Sequence, residues 1–483
     1  MKFKNFIQGI FSVKNVYIHK QITILGIKFK FKNKKYVKSK YRTINLSINE
    51  NRKRGIKVRT NQSYSPEITG QLSYHVLNKL KEQDLKTKIQ KGKKLRVIFL
   101  LDSISKFSFN SVYLAMKNSS IFEPIIVLCS IYEKQFYDNH IWNKFQKEFE
   151  ILKNSDYEAY SLYDENRNYI PLDDFKPDIL FITAPYFEYY NSAMHFSNIY
   201  LNVKYPVCYI NYGWIISNNY DYYYNNRRIN SCWKNFVFSR TDYTEYTQYS
   251  QDCGINAVLS GYPKLDVYEK PIEECKIPQK IDNGNPIVIY APHWSVVSAN
   301  LPSDLGTFDL YYKYFLNLLD RYPNINFVFK PHPSLPTVLN ANGIMSHKEF
   351  ENYINKWESH PNGYYEMGGE YIDLFRKSSL LIQDSESFIA EYLPSGNPCM
   401  YLIKPSREQE TYMDGFSLSA RKILNTYYLC YNQEEIEKYF NMIMFDKNDP
   451  MKEERQKVKD EIFINIGSAG QKIVDYLEEL LKD

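Results

Sequence analysis

No two of the seven cysteines, at 129, 208, 232, 253, 275, 399 and 430, form a C-x-x-C pair, and their number is odd. That scatter excludes a zinc ribbon or a disulfide framework and points to a reducing compartment. No cluster with metal-ligand spacing is visible, so no metal site is expected. No segment approaches the roughly 18 consecutive apolar residues that a membrane span needs. The start, "MKFKNFIQGIFSVKN", is basic, but its apolar stretch is too short and interrupted for a signal peptide. Internal repeats and low-complexity blocks are missing as well. A cytoplasmic protein is expected.

Acidic residues are almost missing from the front of the chain. Residues 1–60 hold 17 Lys/Arg and one acid, Glu50, so the segment carries +16 and the other 423 residues carry −10 against a chain total of +6. Two readings stand side by side: a basic arm drawn to an anionic membrane surface, at about 1 kcal/mol per well-placed cation, or a solvated tail. The first would make the protein peripheral at the inner face of the cell membrane. No nucleic-acid-reading motif accompanies the charge, so nucleic acid is not expected as a partner. The pattern "VYIHKQITILGIKFKFKNKK" alternates like a short hairpin.

What is present is a globular balance, 44% hydrophobic and 24% charged, in 483 residues. That length is too great for one ordinary core and suggests two large domains with appendages. Short apolar runs separated by amphipathic stretches begin at "LRVIFLL" (95–101) and continue through "PIIVLC" (124–129), "DILFIT" (178–183), "PVCYIN" (206–211), "NFVFS" (235–239) and "AVLSG" (257–261). A polar, proline-bearing stretch follows, and the rhythm restarts at "IVIYA" (287–291), "INFVFK" (325–330), "LLIQD" (380–384), "PCMYLI" (398–403) and "YYLCY" (427–431). Strands that are apolar throughout, spaced by helices, read as parallel sheets covered on both faces. The expected organisation is an extension at 1–94, a Rossmann-like α/β domain at 95–265, a linker at 266–286, a second such domain at 287–450 and a helix at 451–483. In doubly wound sheets, ligands sit beyond the carboxyl ends of the strands.

Three successive strand ends of the second domain carry residues that core packing does not ask for. They are Pro292-His293-Trp294-Ser295, Lys330-Pro331-His332-Pro333-Ser334, and Gln383-Asp384-Ser385-Glu386-Ser387 running into "FIAEYLPSG". Each has a plain explanation on its own. A strand-end histidine is more often structural than catalytic, and Ser385 or Ser387 is an ordinary helix cap. Their coincidence on one sheet edge favours a phosphate clamp. Prolines on both sides limit the backbone around His332, and a pre-positioned imidazole meets developing charge without reorganising. A helix start also favours an anion.

Together with "SGYPKLD" (260–266), these strand ends resemble the CDP-glycerol glycerophosphotransferase family of teichoic-acid and capsule polymerases. "SGYPKLD" is similar to its G-x-P-[RK]-x-D, "IYAPHWS" (289–295) to its Y-A-P-T-W-R, "FKPHP" (329–333) to its K-P-H-P, and "IQDSESFIAEYLPSGNPCMYL" (382–402) to its T-D-Y-S-S-x-x-F-D with a following G-K-P strand. The likeness covers roughly residues 95–435 and leaves out the basic arm. It implies a GT-B fold, with two facing domains and a cleft between them. It also implies transfer of glycerol phosphate, or a related phospho-alcohol, from a CDP-activated donor to a hydroxyl of a glycan or lipid-linked acceptor, with release of CMP. No cofactor beyond the activated donor is implied.

Carried over by position, His332 would contact the donor diphosphate, with Lys330 and Pro331 beside it and Pro292 and His293 at the family's Pro-Thr. Glu386 and Ser387 fall on its Ser-Ser pair, with Asp384 and Ser385 just before them, Glu391 on the following Asp and Lys264 on the basic residue of the first motif. The acceptor side would be Asn211, Tyr212 and Gly213 in "CYINYGW" (208–214), where Tyr212 replaces the histidine of the family's W-H-G-T turn. A tyrosine is a poor base at neutral pH, so His293 is expected to act as base or acid, with His332 as its catalytic partner. Glu386 places a carboxylate beside a phosphate site, which suits a hydroxyl, a base or a cation. Two other functions remain open: a GT-B glycosyltransferase using a CMP- or UDP-sugar, and an inert nucleotide-binding scaffold, which Tyr212 favours.

Overall fold

A computed structural model describes residues 11–16, 19–24, 27–32, 66–129, 139–183, 200–296, 305–368, 371–404 and 413–482. The charge attributed to the basic arm lies outside these residues, apart from three short antiparallel strands, β1 (Phe11–Val16), β2 (His19–Ile24) and β3 (Ile27–Lys32).

Two parallel sheets follow. The first contains β4 (Leu95–Leu101), β5 (Phe122–Leu128), β6 (Ala159–Ser161), β7 (Ile179–Ile182), β8 (Val207–Ile210), β9 (Lys234–Val237) and β10 (Ala257–Leu259), in the order β10-β9-β8-β7-β4-β5-β6. The second contains β11 (Ile287–Ala291), β12 (Asn326–Phe329), β13 (Gly363–Tyr365), β14 (Leu380–Gln383), β15 (Cys399–Leu402) and β16 (Tyr428–Cys430), in the order β13-β12-β11-β14-β15-β16. Each is doubly wound, with its order reversing beside its first strand. In the second sheet the reversal lies between β11 and β14, whose ends carry two of the three motifs. Alternate residues of its strands serve two hydrophobic layers. Ile289, Val328 and Leu381 join the layer shared with the first domain, whereas Tyr290, Phe329 and Ile382 join a separate one with Phe315 and Trp357.

β6 and β13 have no counterpart in the sequence reading. Each is three residues long, lies at a sheet edge and is only partly buried, so neither offers an apolar run. The helix Pro66–Gln90 belongs physically to the first domain: Asn78 donates to the Ser231 carbonyl at 3.1 Å, and Glu82 accepts from the Trp233 indole at 3.0 Å. The chain's end also returns there. Phe463 packs on Trp214 with ring centroids 4.8 Å apart, and Tyr476 of the helix Ala469–Lys482 meets Phe236 edge-on. All seven cysteines are buried and free. Among the described residues, no helix is long and apolar enough to cross a membrane.

The "SGYPKLD" segment fastens that return. Gly261 has φ +89°, and Asp266 accepts the Ala469 and Gly470 amides at 2.7 and 2.6 Å, taking up free N–H groups at the start of the last helix. A methyl group on Gly261 would stand 2.6 Å from the Ile464 carbonyl oxygen. Gly261→Ala is therefore expected to destabilise the protein by about 2–4 kcal/mol, from clash and from a left-handed backbone that alanine resists. Chemical denaturation measures this; a midpoint equal to wild type would show that the turn relaxes freely.

Candidate functional site

Everything at the edge of the second sheet is arranged around Asp384, which is wholly buried. Its Oδ1 accepts the His293 amide at 2.5 Å, and its Oδ2 accepts the amide and hydroxyl of Thr307 at 2.5 and 2.7 Å. One carboxylate thus fixes the turn after β11 and the start of the helix Phe308–Arg321. Thr307 occupies that helix's N-cap but spends its hydroxyl on Asp384 rather than on the helix. With both oxygens occupied, Asp384 sets position; the phosphate contact expected of it is not available to it. Burial pushes its carboxyl up to about 7.

The same turn determines which nitrogen of His293 carries the proton. Ser295 Oγ accepts the Leu305 and Gly306 amides at 3.0 and 3.3 Å, so its own hydrogen goes to His293 Nδ1, 2.7 Å away. His293 is then protonated on Nε2. Its ring is 3% exposed, and burial, helped by His332, drives its pKa down to about 3. His332 reaches the same state by another route. The Ser334 amide can only donate, and it donates to His332 Nδ1 at 3.1 Å, which again leaves the proton on Nε2. Burial and the nearby Lys330 lower that imidazole to about 4. The two rings meet edge to face with centroids 5.3 Å apart, and the His332 amide donates to the Pro292 carbonyl at 3.0 Å, joining the two turns. Among the described residues, no protein group accepts from either Nε2. The site therefore presents two neutral N–H donors. This corrects the role expected of His293: a neutral ring with Nδ1 occupied and Nε2 protonated has no lone pair to act as a base.

Lys330 and Pro331 are buried beside them. Lys330 donates to the Gly368 carbonyl at 2.8 Å and lies over the Tyr371 ring at 4.8 Å, and desolvation lowers its pKa to about 8. Lys264 comes from the other domain and lies 3.3 Å from both oxygens of Glu391. Glu391 is 1% exposed and also accepts from Tyr371, and the one hydroxyl hydrogen of Tyr262 is shared between the Tyr212 carbonyl, 2.9 Å away, and Glu391, 3.2 Å away. Glu391 and Lys264 thus bind the domains to each other. That pairing leaves Glu391 no oxygen for a donor, contrary to its expected place.

Asn211, Tyr212 and Gly213 follow β8, and Gly213 meets this edge. A Cβ built on Gly213 would stand 3.9 Å from Cβ of Ser387. The Tyr212 ring lies under Lys106 at 5.3 Å, and the Asn211 carbonyl accepts from Ser108 at 3.4 Å. Ser385 is buried, whereas Glu386 and Ser387 are half-buried. Ser387 opens the helix Phe388–Tyr392 without a side-chain cap, and one turn of helix contributes little dipole. Sequence reasoning missed Thr307, Ser295 as a director of His293, Tyr371, and Tyr223, which feels the charge of Glu386 across the cleft. Only Thr307 carried a signal, as a cap residue before an amphipathic run.

No protein-family model matches the chain, and no curated protein does. Among solved structures it is similar to the wall teichoic acid polymerase TagF, at 14% identity over 87% of this chain and 99% of that chain, with TM-score 0.51. A TagF variant soaked with CDPG aligns at 15% identity with the same coverage and TM-score. A UDP-GlcNAc 2-epimerase from Neisseria meningitidis, bound to UDP-GlcNAc, aligns at 15% identity over 80% of this chain and 100% of that one, with TM-score 0.47. At such identities the likeness is one of fold. The chain has the GT-B fold: two parallel-sheet domains facing a cleft.

The depressed imidazoles have a thermodynamic consequence. Their folded pKa values of about 3 and about 4 lie below the ordinary 6.5, so on acidification the unfolded chain takes up protons first. Their contribution is complete above pH 6.5 and is lost as pH falls toward 4 and 3. Between about pH 7 and pH 5 wild type should lose on the order of 2 kcal/mol more unfolding free energy than His332→Gln. Urea titrations at both values measure the difference. Equal losses would show that His332 titrates normally in the fold.

Proposed function

We propose that the chain is a nucleotide-dependent transferase of surface-polysaccharide synthesis. In this reading it moves glycerol phosphate or a related phospho-alcohol from a CDP-activated donor to a hydroxyl of a glycan or lipid-linked acceptor and releases CMP. One observation carries the reading: two imidazole N–H donors stand side by side beyond the ends of β11 and β12, next to the switch point of the second sheet, on the sheet edge whose Ser387 meets Gly213 of the first domain. The strand-end motifs and the TagF-like fold support it.

The chemistry suits neutral donors. The leaving group is a nucleoside phosphate, whose second pKa is about 6, so it departs as an anion and needs hydrogen bonds rather than a proton. His332 and His293 supply them without losing their own protons. Lys330, close to its pKa and desolvated, adds positive charge beside the site. Pro292 and Pro331 hold both turns rigid, Ser385 and Ser387 offer hydroxyls to the diphosphate, and Asn211, Tyr212 and Gly213 form the facing acceptor wall. No cofactor takes part in this scheme. The basic arm would bring the enzyme to an anionic membrane surface, where a lipid-linked acceptor would be found.

Incubation of the purified protein with CDP-glycerol and a glycan acceptor should release CMP, and His332→Ala should lower kcat by about 100-fold or more. CDP-alcohols, CMP-sugars and UDP-sugars compared side by side identify the donor class. Near-full turnover in the His332→Ala variant would remove His332 from the reaction. Sugar transferred without phosphorus would make the protein a glycosyltransferase instead.

A further inference from the structure

The transferase scheme leaves the acceptor's proton without a destination. A hydroxyl attacking phosphorus must lose it, yet both imidazoles already carry hydrogen on the nitrogen that is not hydrogen-bonded to its own turn. Among the described residues, three carboxylates around the site are used elsewhere: Asp384 by two backbone amides and a hydroxyl, Glu391 by Lys264 and Tyr371, and Glu366, beside Lys330, by the Gly368 amide. Glu386 is not. It is half-buried, and among the described residues its carboxylate makes no hydrogen bond or ion pair. It lies between Asp384, which holds the His293 turn, and Ser387, which faces Gly213 of the other domain.

We infer that Glu386 is the general base that takes the proton of the acceptor hydroxyl, an inference that rests on the transferase reading. Glu386 stands next to Ser387, which meets Gly213 of the first domain, and the attacking oxygen would enter at this seam. As that oxygen bonds to the β-phosphorus, its proton passes to Glu386. The bond from that phosphorus to the bridging oxygen breaks, both electrons leave with the CMP phosphate, and the carboxyl then gives its proton to water. A base here would make the histidine of the family's turn unnecessary and leave Tyr212 as wall.

The surroundings suit the task. Tyr223, packed edge to face on Tyr222, lies within electrostatic reach of Glu386 and Tyr212 from the first domain; on its own edge His293 and His332 are neutral and Asp384 is turned inward. Among the described residues no cation compensates the carboxylate, and burial raises its pKa above the ordinary range, which strengthens it as a base.

The test compares wild type, Glu386→Gln and Glu386→Asp in CMP release across about pH 5 to 9, with CDP-glycerol binding followed by thermal shift. Glu386→Gln should lose about 100- to 10,000-fold in kcat and the acidic limb of its pH profile, while its CDP-glycerol shift stays at the wild-type value. Glu386→Asp should recover part of the rate with the limb intact. A glutamine variant within about threefold of wild type in kcat, with its acidic limb retained, overturns the base. A loss confined to KM and the CDP-glycerol shift overturns it too, making Glu386 a donor contact. If wild type neither binds nor turns over any CDP-, CMP- or UDP-linked donor, the transferase reading falls first and the base with it.

Discussion

A carboxylate with no access to solvent, Asp384, governs the geometry of the candidate site. It accepts three hydrogen bonds, two from backbone amides, and thereby ties the ends of β11 and β14 to the start of a helix. Removing one partner of such a buried charged group typically costs several kcal/mol, because the remaining groups are left unpaired. The turn it fixes carries Ser295, whose saturated oxygen forces its hydrogen onto His293. The chemical character of the site, two neutral donors rather than an acid–base pair, follows from that arrangement.

A second buried carboxylate serves the molecule on a larger scale. Glu391 gathers Lys264, Tyr262 and Tyr371 at the boundary between the domains, and Tyr262 extends the network to the Tyr212 carbonyl. Asp242 and Glu245 do similar work nearby: Asp242 accepts from Ser419 at 3.0 Å and Glu245 accepts the Leu418 amide at 3.2 Å, both across the domain boundary. The cleft is therefore held by hydrogen-bonded charge as well as by apolar contact. Polar contacts of this kind tolerate small domain movements better than a wide hydrophobic seam.

The long strands were legible because parallel strands covered on both faces must be apolar throughout, as "LRVIFLL" and "IVIYA" are. The location of the site was legible for a related reason: His293, His332 and the 384–387 turn stand where a strand has ended and apolar packing no longer explains the residues chosen. Roles were less legible. Asp384 and Glu386 are two residues apart in one turn, and nothing in "QDSES" says which turns inward to accept amides. The tautomer of His293 depends on residues 305 and 306, beyond its own motif. The return of the last helix to the first domain rests on contacts such as Asp266 with Ala469, more than 200 residues apart in the chain. No local pattern encodes them.

A crystal structure of the protein with CDP-glycerol bound tests the central claim most directly. Diphosphate oxygens within about 3 Å of Nε2 on His332 and His293, with the glycerol phosphate directed toward Gly213, are the expected result. A diphosphate held away from both rings, or a ligand seated outside the interdomain cleft, would contradict it.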